Sequence, residues 1–150
     1  MIAHWAVPVS GINLRHVDGR YLHAVVSRWL DADTDHNAIH KAWSLSPMGN
    51  LGGVPAIRFV TMSERTFDTI SAKSLAGHTV HLGVQKGTAI DDAQLTKQVT
   101  VDSLVVKVPA YAHTVAFITP TSLRHGGKTS PLLDPVGLAR SITRRWNSLF

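Results

Sequence analysis

The sequence contains no cysteine, which excludes disulfides, thiol nucleophiles and cysteine-ligated zinc. It has no apolar run of about 18 residues, the least that spans a bilayer, and residues 1–9 are too short and too polar for a signal peptide. No basic amphipathic segment carries a Trp/Phe-rich insertion face. These absences lead us to expect a soluble chain without membrane contact, working in the cytoplasm. No G-x-x-x-x-G-K-[ST] loop, G-x-S-x-G elbow or paired-carboxylate signature is present, so nucleotide-loop, ester-hydrolase and glycosidase chemistry have no support. Acids are also scarce, with 10 Asp and Glu against 15 Lys and Arg, a formal net charge of +5.

What remains is ordinary globular material. The 150 residues are 44% hydrophobic and 17% charged, enough for one domain, or for a small domain plus part of another. The charge is uneven. Residues 115–150 hold Arg124, Lys128, Arg140, Arg144 and Arg145 against the single acid Asp134, whereas the preceding residues are nearly balanced. A local basic excess fits a phosphate-binding surface, with nucleic acid as the expected partner; a solvated helix face is the plain alternative.

Periodicity predicts a strand over 2–9, with Pro8 putting its end at a sheet edge. A helix over 20–31 follows, with Leu22, Val25, Val26, Trp29 and Leu30 as its core stripe. A short helical piece is expected over 36–42, a strand over 43–48, a glycine loop over 49–53 and a strand over 54–62. Ser63 caps a helix over 64–75. Residues 78–85 alternate, with Val80, Leu82 and Val84 on one face, Lys86-Gly87 turns, and 98–108 reads as a β-branched strand. The order to residue 85 is β-α-β-β-α-β, a ferredoxin-like (split βαβ, RRM-like) α+β domain of a kind that can present a sheet to RNA. Residues 115–118 form a further strand, 124–128 a loop, and Asp134-Pro135 opens a last helix. Its apolar side (Val136, Leu138, Ala139, Ile142, Trp146, Leu149) opposes Arg140 and Arg144.

Two histidines stand out, His36 and His40, at i,i+4. They could hold two faces of a metal ion, but no third ligand has a recognisable spacing. His40 is followed directly by Lys41, so an imidazole able to move protons near neutrality sits beside a cation able to offset charge on a phosphorane. A structural histidine is the plain alternative. Trp43, Phe59 and Tyr111 could stack on bases, though strand aromatics are more often core.

Three separated pieces fit one family: Arg20-Tyr21-Leu22-His23-Ala24; Ile39-His40-Lys41 with Trp43-Ser44-Leu45-Ser46-Pro47; and Phe117-Ile118-Thr119-Pro120-Thr121-Ser122-Leu123-Arg124 leading to Arg144-Arg145-Trp146-Asn147. In this order the chain resembles the CRISPR repeat-processing endoribonucleases of the RAMP superfamily. The resemblance implies two tandem ferredoxin-like domains, here 1–110 and the first strand and helix of a second over 111–150. It implies cleavage of repeat RNA without metal or other cofactor, by attack of a 2′-hydroxyl that leaves a 2′,3′-cyclic phosphate and a 5′-hydroxyl. His40 occupies the general acid or base position, with Lys41, His23 and Ser27 as further catalytic candidates. Arg124, Lys128, Arg140, Arg144 and Arg145 would contact the RNA. The rest of the second domain and its glycine-rich loop have no counterpart in this chain, so either a longer protein or a shortened form with a partner is implied. That partner would be another CRISPR effector subunit or a second copy; the apolar side of the last helix is expected to be covered by such a partner or to fold back on the first domain. A non-catalytic RNA-binding subunit and a structural assembly subunit are the rival readings.

Overall fold

The computed structural model describes residues 1–13, 17–31, 41–104, 123–125, 128–130 and 135–149. Two compact units divide the chain, Met1–Val105 and Val106–Phe150. The first is a mixed α+β unit with the order β1 (Ile2–Ser10), α1 (Gly19–Leu30), β2 (Trp43–Leu45), β3 (Gly49–Leu51), β4 (Val54–Thr61), α2 (Glu64–Ser71), β5 (Thr79–Leu82), β6 (Gln85–Ala89) and β7 (Gln94–Val99), then a short 3-10 turn at Asp102–Leu104.

Strand β1 is the centre of a curled antiparallel sheet. One side pairs with β4 from Ala3↔Thr61 to Pro8↔Ala56. The other side pairs first with β7, from Ile2↔Val99 to Ala6↔Gln94, and then with β6 at Val9↔Ala89 and Ser10↔Thr88. Strands β2 and β3 both line the far side of β4, and β5 pairs with β6. Pro8 is therefore interior and not at an edge. Its carbonyl accepts from Ile90 N–H at 2.9 Å, so its nitrogen faces the same side, in the gap between the β7 and β6 pairings. The missing N–H costs no ladder bond there.

Alternation puts Ala3, Trp5, Val7 and Val9 in the core with the helices. Helix α1 contributes the predicted stripe, with Leu22, Val25, Val26, Trp29 and Leu30 all buried. Its start is set by Asp18, whose carboxylate accepts from Arg20 N–H at 2.8 Å. Ser63 caps α2 through the Thr66 N–H at 3.2 Å. That helix is shorter than predicted, and it packs Ile70 inward and Phe67 against Trp5, ring centroids 5.2 Å apart. The Trp5 indole N–H finds buried Thr61 Oγ1 at 3.0 Å.

Glycine separates several predictions from the outcome. Residues 49–53 are a hairpin: Gly52 and Gly53, at φ 59° and 85°, supply the two left-handed positions of a tight turn joining Leu51 to its partner Val54. Within 78–85 the strand breaks at Gly83, φ 67°, so Val84 lies fully exposed on the turn and β6 starts at Gln85. Lys86 and Gly87 belong to β6. Of the predicted strand over 98–108, only the start is strand; 105–108 lie outside the described residues, as do 115–118 and most of 36–42. Lys41 and Ala42 are not helical.

The second unit holds a hairpin, β8 (Leu123–His125) and β9 (Lys128–Ser130), then α3 (Pro135–Leu149). Of the predicted loop over 124–128, residues 124, 125 and 128 are strand, and 126–127 lie outside the described residues. On α3, Val136, Ile142 and Trp146 are 56%, 58% and 40% exposed.

Gly87 tests the close approach of β6 to the end of β1. A Cβ added there would lie 2.2 Å from the Ser10 carbonyl oxygen and 2.4 Å from Ile12 Cγ1. Gly87→Ala should cost about 1–3 kcal/mol of stability, the usual scale for overpacking. An unchanged urea midpoint would show that the strands do not meet this tightly.

Candidate active site

The end of α1 and the approach to β2 converge on one carboxylate. Asp31 is the C-cap of α1, in extended conformation at φ −83° and ψ 129°, and its backbone N–H bonds the Ser27 carbonyl at 2.7 Å. That turn also brings the Ser27 hydroxyl, 2% exposed, to donate to Asp31 Oδ2. From the other side, Lys41 and Trp43 flank a bend at Ala42. The Lys41 ammonium donates to Oδ2, and the Trp43 indole N–H to Oδ1 at 2.7 Å.

The cluster is largely shielded from solvent. The side chains of Asp31 and Lys41 are only 6% and 15% exposed. Burial pushes the Asp31 carboxyl up, but the donors Lys41, Ser27 and Trp43 together outweigh it and hold the group below the ordinary carboxylate range. The charge is thus kept because three hydrogen bonds replace its hydration.

One turn before Ser27, exposed His23 lays its ring against Trp43, centroids 4.7 Å apart at 39°. His23, Ser27 and Asp31 therefore run along one line of α1 at i, i+4 and i+8, with Trp43 and Lys41 laid across them. Two of the four catalytic candidates, Ser27 and Lys41, meet on Asp31, and a third, His23, lies against Trp43, which bonds the same carboxylate. The fourth, His40, is joined by a peptide bond to Lys41; it and its possible metal partner His36 lie outside the described residues. Sequence reasoning missed Asp31. The spacing Ser27-x-x-x-Asp31 was visible, but the partner across residues 32–40 was not. Trp43 and Phe59, considered above as base-stacking groups, are core at 2% and 0% exposure, and Tyr111 lies outside the described residues.

The basic candidates belong to the second unit. Arg140 and Arg144 are exposed on α3, with Arg145 next in the helix. In the hairpin, Arg124 pairs with Thr129 and Lys128 with His125. Comparison with protein-family models, with curated proteins and with solved structures finds no match for the chain.

Because its folded pKa is depressed, Asp31 contributes stability above the unfolded carboxylate value of about 3.9 and loses it as pH falls through the lower folded value. Asp31→Asn leaves the enclosed Lys41 ammonium without its counter-charge and should cost about 3 kcal/mol at pH 7. Urea unfolding of both proteins should show that gap narrowing as pH falls below about 4. A gap that stays constant with pH would remove the carboxylate's charge from the account.

Proposed function

We propose that the chain is a metal-independent endoribonuclease that cuts CRISPR repeat RNA by internal transesterification. The observation that carries this reading is the convergence of Ser27, Lys41 and Trp43 on Asp31, with His23 alongside, at the point where the chain emerges from His40. The fold gives second support: β4 lies between β1 and β2, as a split βαβ unit of ferredoxin-like type requires. A second, partial ferredoxin-like domain over 111–150 belongs to the same proposal.

The chemistry needs a proton moved and a phosphorane stabilised. The 2′-oxygen loses its proton and bonds the phosphorus, the bond to the 5′-oxygen breaks, and that oxygen gains a proton. His40 acts as the acid or the base. The cluster refines the other roles. Ser27 is enclosed and donates to Asp31, and Lys41 is anchored on the same carboxylate, so both are positioning residues that fix the chain directly after His40. His23 is the exposed imidazole available for the second proton transfer. Because the Lys41 charge is matched by Asp31 and not offered to solvent, a non-catalytic RNA-holding subunit is the second reading.

His40→Ala should slow cleavage of a repeat hairpin by at least ~10²-fold, the scale of one acid–base group, with binding little changed. Cleavage should persist in EDTA and leave a 2′,3′-cyclic phosphate, since the nucleophile is internal to the RNA. Tight binding with no cleavage by the wild-type chain would favour the second reading, and activity lost in EDTA but restored by Zn²⁺ would favour a His36/His40 metal site.

Exposed Arg140 and Arg144 should grip phosphates. Replacing both by Ala should lower the slope of log K against log[salt] by about 0.7 per lost contact with single-stranded RNA. A wild-type slope in the double variant would make them a solvated face.

A further inference from the structure

A second cationic feature lies on the first unit, away from the basic residues of α3 in sequence and unforeseen by it. The C-terminal half of α1, the segment after α2 and strand β5 enclose a cavity of ≈ 250 Å³. Arg28, Lys73, His78 and His81 line it, with Val25 and Trp29 as its apolar wall, and among the described residues the lining includes no carboxylate. Four nitrogen-bearing cations or potential cations around one small cavity is an unusual concentration in a unit whose charges otherwise nearly balance.

Their arrangement suits an anion. The end of α1 would by itself repel one, because its last carbonyls carry partial negative charge. Lys73 Nζ covers that end, donating to the carbonyls of Arg28 at 3.1 Å and Trp29 at 2.9 Å. An ammonium has three donors, so one N–H is left over by those two bonds. Arg28, His78 and His81 are exposed, and Arg28 brings a planar fork matched to the oxygens of a phosphate. Nearby Asp92 is engaged elsewhere: its Oδ1 is taken up by the backbone N–H groups of Leu75 and of Ala76, the latter at 2.9 Å. The backbone of His78 is fixed on both sides, its N–H bonded to the Leu75 carbonyl and its carbonyl to the Ala89 N–H, each at 2.9 Å. The site is thus held in place by the core and needs no ordering of its own backbone.

We propose that Arg28, Lys73, His78 and His81 form a phosphate-binding site. The phosphate is either a diester of the RNA backbone, a source that rests on the function proposed above, or the phosphate of a small ligand. An RNA source would add a phosphate contact on the first unit to the one proposed for α3.

Amide NMR of the full chain separates the cases. A 12-nucleotide single-stranded RNA without terminal phosphates, inorganic phosphate, and sodium chloride of equal ionic strength are titrated in turn. RNA is expected to shift the resonances of residues 28, 73, 78 and 81. The triple variant Arg28→Ala, His78→Gln, His81→Gln, which spares the Lys73 contact with α1, should bind that RNA at least ~5-fold more weakly, with a salt slope reduced by about 0.7 per lost phosphate contact. Shifts with inorganic phosphate alone would assign the site to a small phosphorylated ligand, still as a phosphate site. Shifts no larger than those with chloride for either probe, or wild-type affinity and slope in the variant, would overturn the proposal. Cleavage does not enter this readout, so a repeat hairpin that is bound but never cut would end the nuclease reading, while shifts at the site with the single-stranded RNA would leave the phosphate site standing.

Discussion

A carboxylate held away from water loses several kcal/mol of hydration unless donors replace it. Asp31 meets that demand with a hydroxyl from its own helix, an ammonium from the far end of the following segment and an indole N–H from the next strand. The interaction therefore closes a loop in the chain. It fixes where α1 stops, where residues 32–40 must begin and end, and how Trp43 enters the core. Most of what we infer about function depends on that closure, because the histidine assigned to proton transfer is the residue before Lys41.

The two sides of α1 then divide the work. Buried Leu22, Val25, Val26, Trp29 and Leu30 pack the helix against the sheet. The line His23, Ser27, Asp31 faces the approach to β2, and Arg28 with Trp29 faces the cavity beside β5. One helix end, capped from one side by Lys73 and extended by Asp31 on the other, carries both an anchored acidic cluster and a cationic cavity. The two stay close on one turn because the Asp31 carboxylate is satisfied by side chains and the Lys73 ammonium is held by two backbone carbonyls.

Local rules carried the sequence reading where the residue type has one physical use. The apolar stripe of α1 and the Ser63 cap were legible for that reason. Glycine has two uses, and the reading failed where both were open: Gly52-Gly53 made a hairpin out of an expected loop, and Gly83 split an expected strand. Pro8 misled in the opposite sense, since an interior strand can take proline where its two neighbours on one side leave a gap. Within the site, His23, Ser27 and Lys41 were named in advance from a family resemblance, but not the Asp31 that Ser27 and Lys41 share. Asp31 joins Lys41 across ten positions of sequence, and the phosphate cavity joins α1 to residues more than forty positions later. Such pairings appear only when the chain is folded.

The central claim is that the Asp31–Lys41 pair holds His40 in place for cleavage. A double-mutant cycle on single-turnover cleavage of a repeat hairpin tests it most directly, using Asp31→Asn, Lys41→Met and both together. Paired loss of both charges relieves the uncompensated charge that either single variant leaves behind. If the residues act as one clamp, each single change lowers the rate and the double change costs no more than the worse single. Losses that multiply, or a rate indifferent to all three variants, would contradict it.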